Sequence, residues 1–305
     1  MEEIKLKARA KINLTLDVIG KRENGYHELE MIMQTVGLYD EIKIRRIPEN
    51  EIRLYANVGW LPTDERNLAW RAANLMRQEY GIKEGVCITI DKRIPVAAGL
   101  AGGSADCAAV LVGMNQLFNL RLSRRELEQL ALTMGTDIPY CVRRGTVLAE
   151  GLGEVLTNIR PACPLCHVVL AKLPVGVSTA KVYQNLQWDK IQKHPDTKAM
   201  LEAITAHDVV KIGQLLGNVL EDVTISMVPK IAEIKQVLLQ NGAAGALMSG
   251  SGPTVFALFT EKETAKNAAK MVRQKFGIKD VFVTKIYHVS REKQERRKQY
   301  VRHKI

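Results

Sequence analysis

The stretch IPVAAGLAGGSADCAAVLVGM, residues 94–114, has two halves that differ in kind. The first is short of side chains, and Gly99, Gly102 and Gly103 lead up to Ser104. The second is alanine-rich and apolar at helical spacing, which predicts a helix from Ser104 to about Phe118. Bare backbone entering a helix leaves amides unpaired at the positive end of the helix dipole, which suits an anion. Glycine permits unusual backbone angles and lets a phosphate approach closely. Ser104 fits as helix N-cap or as a hydroxyl ligand to a phosphate-bound magnesium ion. Lys92 and Arg93, just upstream, add positive field. The competing reading is a tight strand-to-helix connection packed against a neighbour.

The common phosphate-binding signatures are missing from the chain. It has no G-x-x-x-x-G-K-[ST] and no G-x-G-x-x-G after a strand. The H-R-D and D-F-G pair of protein kinases is absent too. An ATP site built on residues 94–104 therefore belongs to a different fold. A second small-residue cluster, GALMSGSGPTVFALF (residues 245–259), sets Ser249, Gly250, Ser251 and Gly252 between two apolar strand patterns. It reads as a loop that closes over phosphates or substrate, or as a hairpin with a wide turn.

Strand patterns precede the glycine stretch: residues 12–20, 30–38, 41–47, 51–58 and 86–94. A helix fits residues 66–81, with Leu68, Ala72, Leu75 and Met76 on one face and Gly81 as its stop. Ser123 caps a further helix. A seam of Gly and Pro near residues 150–160 separates these elements from a second set. That set contains a strand at 166–172, three helical patterns between about 198 and 240, and strands near Ala246 and at 254–260. A helix at 261–276 and a closing strand at 280–289 complete it. The chain of 305 residues is long for one core, so an α+β protein in two halves is expected.

Composition narrows the class. Hydrophobic content of 46% and charged content of 25% are ordinary for a globular protein, and no apolar run reaches membrane-span length. The start, MEEIKLKARA, does not read as a signal peptide, so a cytoplasmic protein is expected. A net charge of +11 favours an anionic partner. Residues 291–305 carry seven Lys/Arg and two Glu, a basic tail that reads as a solvated end or as a nucleic-acid or membrane tether. Five cysteines are an odd number and argue against a disulfide framework. Cys163-Pro164-Leu165-Cys166-His167 mimics a haem-attachment signature, but it leads into a buried-strand pattern and reads as a loop.

Phosphoryl transfer to an alcohol needs phosphate positioning and a base for the hydroxyl proton. Asp137, in MGTDIPYCV, is the best carboxylate, with helix N-cap as its alternative role. Lys11, in ARAKINLTLDV, interrupts an apolar strand, so it points into a pocket or lies on a solvated face. Asn13 shares its side of the strand. Tyr26 and His27 follow a turn and could stack on a flat base, as could Tyr183, although a plain turn aromatic is the simpler reading.

Together, AKINLTLDVIGKRENGYHELEM, IPVAAGLAGGSADCAAVL, GTDIPYCV and SGSGPTVFALF resemble the GHMP kinase superfamily, in order, from about residue 7 to 289. The likeness is strongest to the branch that phosphorylates the 2-hydroxyl of a cytidine diphosphate-linked methylerythritol. The resemblance implies a ribosomal-S5-like domain (1–155), a ferredoxin-like domain (156–290) and a tail (291–305). It implies ATP and Mg2+ as cofactors. The phosphates would sit on Pro95, Val96, Ala97, Ala98, Gly99, Leu100, Ala101, Gly102, Gly103, Ser104 and Ala105. Asn67 and Lys92 are its candidates for adenine. The cytidine end would stack between Tyr26 and Tyr183, with His27 on the base edge, while Asn13, Thr179, Gly250, Ser251 and Gly252 contact the substrate. Asp137 would take the hydroxyl proton, and Lys11 would hold Asp137 and the developing alkoxide. No protein metal cluster, membrane or nucleic-acid partner is implied, and the chain would act as a monomer or homodimer. Ala101 and Ala105 depart from the glycine and serine usual in that loop. The rival readings are a sibling kinase of the superfamily and a basic RNA-binding protein.

Overall fold

The structure is a computed structural model that describes residues 2–23 and 25–289; the basic stretch 291–305 lies outside the described residues. The chain opens on two long antiparallel strands, β1 (Glu3–Lys21) and β2 (His27–Ile47). β3 (Ile52–Ala56), α1 (Leu68–Glu79), β4 (Gly85–Asp91) and α2 (Gly102–Leu117) follow. Two short helices, α3 (Arg124–Leu132) and α4 (Ile138–Arg143), lead to the hairpin of β5 (Thr146–Gly151) and β6 (Val155–Asn158). Then come β7 (His167–Lys172), α5 (Thr179–Asn185), α6 (Thr197–Thr205) and α7 (Val209–Gln214). The two-residue β8 (Gly217–Asn218), α8 (Glu221–Met227) and α9 (Lys230–Gln240) precede β9 (Gly245–Met248) and β10 (Thr254–Phe259). α10 (Lys262–Phe276) and β11 (Val281–Lys285) complete it. No helix among the described residues is long and apolar enough to cross a membrane.

Local signals explain several boundaries. Asn67 caps α1 by accepting the Ala69 N–H, and Ser123 with Glu126 forms a capping box on α3. α10 ends at Gly277 in the left-handed region. Elsewhere the structure corrects the pattern reading. The strands expected at 30–38 and 41–47 are one strand, since β2 runs unbroken from His27 to Ile47, paired with β1 on either side of residues 36–38, with β4 and β5 beyond, and bridged to Ile286 at Val36. Four helices, not three, lie between residues 197 and 240, and α5 was not anticipated. In α1 the fully buried face is Ala69, Ala72, Ala73 and Met76, with Leu68 and Leu75 half-buried, because small residues let α1 pack closely on α2.

The first sheet has seven strands, with the path β3-β4-β2-β1-β8 and the β5–β6 hairpin attached to β2. All but β8 come from the first 158 residues. β8 joins the sheet from the second half by pairing parallel with Thr15 and Leu16. The second sheet runs β11-β7-β10-β9, all antiparallel. Counting its own strands, that is 4-1-3-2 with helices in the crossovers, the ferredoxin-like order. The α+β, two-domain architecture expected of the sequence is thus present.

Side-chain alternation along β7 and β10 divides the core. Val169, Ala171, Val255 and Ala257 pack with α9 and α10, while Val168, Leu170, Phe256 and Leu258 pack with Ala10, Ile12, Leu14, Ile32 and Val36 of the first sheet. The two sheets therefore share one apolar core.

Candidate active site

β1 carries the feature that aims the site. On an uninterrupted strand its even-numbered residues would share one face. Instead, Leu6, Ala8, Leu16 and Val18 lie in the core that contains α1 and α2, whereas Ala10, Ile12 and Leu14 lie between the sheets. Register shifts against β2 fall between Arg9 and Lys11 and between Asn13 and Thr15. Between these two irregularities the segment is turned over relative to the rest of the strand. Lys11 and Asn13 are thereby directed away from the inter-sheet core. The Lys11 N–H donates to Leu100 O at 3.2 Å, so the bulged backbone docks on the glycine turn.

In that turn, Ala97, Gly99 and Ala101 have φ of 50°, 72° and 53°. Left-handed residues at alternate positions bend the chain sharply, the kind of backbone from which anion nests are built. α2 begins at Gly102 with Ala101 as N-cap, so Ser104 is its third residue and not its cap. No side chain caps the helix and its first turn holds no acid. The first backbone amide bonded within α2 is that of Ala105, to Ala101 O. The amides of Gly102, Gly103 and Ser104 precede it at the helix's positive end.

The second glycine loop is bonded to the first. Ser249 Oγ donates to Gly99 O at 2.9 Å, and a Cβ at Gly99 would sit 2.1 Å from Ser249 O. Only glycine allows this approach. Asn218 Nδ2 donates to Met248 O and Gly250 O, which places β8 under the loop, and Thr179 and Ser251 share a hydroxyl hydrogen bond at 2.8 Å.

Asp137 occupies the N-cap position of α4, but its side chain makes no capping bond. Its Oδ2 lies 3.8 Å from Lys11 Nζ, and the Asp137 side chain is 38% exposed while that of Lys11 is 6% exposed. Lys11 Nζ also donates to Asn13 Oδ1 at 2.8 Å. A buried ammonium thus faces an open carboxylate. Across from it, the His27 and Tyr183 rings stack with centroids 5.3 Å apart. Burial, reinforced by the Asp137 charge, pushes the Tyr183 phenol up, and burial together with Lys21 holds His27 below its ordinary value.

A cavity of about 860 Å³ connects these parts. Lys11, Asp137, Tyr26, His27, Thr179 and Tyr183 line it, as do Gly250, Ser251 and Gly252. From the glycine turn, Pro95, Val96, Ala97, Ala98, Gly99, Ala101, Gly102, Gly103 and Ser104 line it. Other expected residues do not reach it. Leu100 and Ala105 are buried beneath the turn. Asn13 is fully buried and touches Met31 Sδ. Asn67 is used in capping α1 and in bonding Pro62 O. Lys92 is buried between Asp40 and Asp106, so its ammonium is not turned to the cleft. His27, not Tyr26, covers the ring of Tyr183 in this structure, and Tyr26 is 62% exposed.

Lys21, Leu29, Met31 and Trp188 line the cavity without having been anticipated. Leu29 and Met31 look like ordinary core positions on a strand, and only the alternation of β2 could have pointed to them. A larger cavity of about 1240 Å³ adjoins α8, but none of the sequence-predicted site residues lines it. Cys163 and Cys166 are free and buried, and among the described residues no three His, Cys, Asp or Glu side chains form a metal cluster.

Comparison with known proteins agrees with this geometry. The family model for the GHMP kinases N terminal domain matches residues 67–145, and that for GHMP kinases C terminal matches residues 200–278. A curated relative from Lachnospira eligens, named 4-diphosphocytidyl-2-C-methyl-D-erythritol kinase, is 50% identical over 94% of this chain and 99% of its own length. One of the same name from Lachnoclostridium phytofermentans is 51% identical over 88% of this chain and 92% of its length. A crystal structure of 4-(cytidine 5'-diphospho)-2C-methyl-D-erythritol kinase superposes with a TM-score of 0.79 at 30% identity, covering 93% of this chain and all of that one.

Proposed function

We propose, from the premise that this chain belongs to the GHMP kinase family, that it transfers the γ-phosphoryl group of ATP to the 2-hydroxyl of 4-diphosphocytidyl-2-C-methyl-D-erythritol. One observation supports the site assignment most: the uncapped amides of α2, the Lys11–Asp137 pair and the His27–Tyr183 ring pair all open onto a single cavity. A triphosphate, an alcohol and a flat base need those three surfaces, in contact with one another.

The N-terminal half, residues 1–155, seats the nucleotide. The α2 amides receive its phosphates, and the helix dipole favours their charge. The second half, residues 156–290, closes the cleft with Thr179, Gly250, Ser251 and Gly252 beside the substrate. His27 and Tyr183 hold the cytosine ring, and Tyr26 covers its outer side. Asp137 accepts the hydroxyl proton as the substrate oxygen bonds to the γ-phosphorus. The bond from that phosphorus to the β-phosphate oxygen breaks, and ADP leaves. Lys11 orients Asp137 and offsets the charge of the forming alkoxide, a low-dielectric role that its burial strengthens. Asn13 fixes the Lys11 ammonium.

Magnesium carried on the phosphates needs few protein oxygens. The Ser104 hydroxyl, at the cavity wall in the first turn of α2, fits that need and would hold the ion, which neutralises phosphate charge when bound. The reaction takes place in the cytoplasm.

The direct test is incubation with ATP, Mg2+ and 4-diphosphocytidyl-2-C-methyl-D-erythritol, followed by phosphorus NMR. ADP and a new phosphomonoester are expected. Turnover of homoserine or mevalonate in place of the cytidyl compound would overturn the substrate assignment.

A further inference from the structure

A buried polar cluster lies outside the cavity, beneath the glycine turn. Asp40 of β2 is fully buried. Its Oδ1 accepts the N–H groups of Arg93 at 2.5 Å and Ile94 at 2.7 Å, and its Oδ2 accepts from Lys92 Nζ at 2.5 Å. Lys92 Nζ donates a second bond, 2.8 Å long, to Asp106 Oδ2. Arg93 and Ile94 immediately precede the turn, and Asp106 lies one turn into the helix that follows it. A Cβ on Gly102 would stand 3.0 Å from Lys92 Nζ, so the ammonium lies directly below the first residue of α2. Both ends of the turn are therefore tied to one carboxylate on a neighbouring strand, through two amides on one side and one ammonium on the other.

The turn needs such a tie. Ala97 and Ala101 are held in the left-handed region, at roughly 1–2 kcal/mol each. No side chain caps the helix start. Burying two carboxylates with one ammonium is a poor route to stability compared with apolar packing, so the arrangement points to geometry as its use.

We propose that Asp40, acting through Lys92, Arg93 and Ile94, is a positioning residue that presets the amides of Gly102, Gly103 and Ser104 for the triphosphate. This rests on the nucleotide seat proposed above. Asp40 touches neither nucleotide nor substrate. Asp106 is the lesser partner, since it receives one bond and its Oδ1 has none.

The test compares Asp40→Ala, Asp40→Asn, Asp106→Asn and Gly103→Val by steady-state kinetics, fluorescent ATP-analogue binding and thermal unfolding. Asp40→Ala is expected to raise KM for ATP and the analogue Kd about tenfold or more, with KM for the cytidyl substrate held within about twofold. Asp40→Asn keeps an acceptor for the two amides and recovers part of that loss. Asp106→Asn keeps the acceptor toward Lys92 and has a smaller effect than Asp40→Ala. A lower Tm with unchanged ATP constants, or equal losses for both substrates, would reduce Asp40 to a structural strut and overturn the proposal. If Asp40→Ala does not fold, Asp40→Asn decides: a selective rise for ATP supports the role, and no rise refutes it. Silent Asp40 variants beside a Gly103→Val that has lost ATP binding would sink only the positioning role. If Gly103→Val also binds ATP normally, the nucleotide seat itself is wrong.

Discussion

Lys11 and Asp137 meet across 3.8 Å, the ammonium sealed at the bulge of β1 and the carboxylate open at the head of α4. The asymmetry supports the division of work proposed for them. A buried cation acts through its field, while an open carboxylate can reach a proton on a bound alcohol. Replacing Asp137 with Asn preserves shape and removes the base. The expected loss in kcat is roughly 10²- to 10⁴-fold, with the KM for ATP nearly unchanged. Rapid-quench measurement of the phosphoryl-transfer step checks it. A full-speed Asp137→Asn enzyme would remove Asp137 from the chemistry.

Two glycines of one turn should respond in opposite ways. A Cβ at Gly99, where φ is 72°, would sit 2.1 Å from Ser249 O, so Gly99→Ala is expected to lower stability by about 2–4 kcal/mol. At Gly103 the nearest atom to a Cβ is Leu68 Cδ1, at 3.8 Å. Gly103→Val should therefore fold with a Tm close to the parent while its isopropyl group fills the anion seat. Denaturant titration and nucleotide binding separate the two effects, and a Gly103→Val protein that binds ATP normally contradicts the seat.

Ala101 has φ of 53° and ψ of 34° at the N-cap of α2, a conformation that its Cβ disfavours. Ala101→Gly is expected to stabilise the protein by about 1 kcal/mol, because the released strain exceeds the added freedom of the unfolded chain. Calorimetry should record a higher Tm, and a fall would show that the turn is unstrained.

Stacking of a base on one aromatic ring is worth about 1–3 kcal/mol. Tyr183→Ala should thus raise KM for the cytidyl substrate by roughly 5- to 150-fold and leave KM for ATP nearly constant. An effect confined to ATP would contradict the assignment.

His27 adds a pH dependence to the same pocket. Burial first, and Lys21 second, lower its pKa from 6.5, so the fold favours the neutral ring. As pH falls below 6.5, the unfolded chain takes up a proton that the folded chain resists, and this contribution to stability declines. It is fully present above 6.5. Substrate affinity should weaken over the same acid range as the ring becomes charged, and His27→Asn should flatten that limb of the pH profile. An identical acid limb in His27→Asn would assign it to another group.

Much of this protein could be read from residue order alone, because the relevant physics is local. Glycines before an alanine-rich run announce a helix with bare amides, Ser123 announces a cap, and short unbroken apolar runs mark β7 and β10. Lys11 stood out because a charge interrupted a strand, and Asp137 because it sat in a Gly- and Pro-punctuated turn. Tertiary structure alone decided which of these groups meet. The two register breaks between β1 and β2 that flank Lys11 and Asn13 depend on how the strands pair, and such a break has no signature in composition or period. Lys92 looked free to meet a nucleotide until the fold brought Asp40 from 52 positions away and Asp106 from 14 positions away to claim it. The tie of Gly99 to Ser249 spans 150 positions. Contacts of that kind exist only after the two sheets have packed, since pairing between distant residues is set by the shared core and not by the sequence on either side.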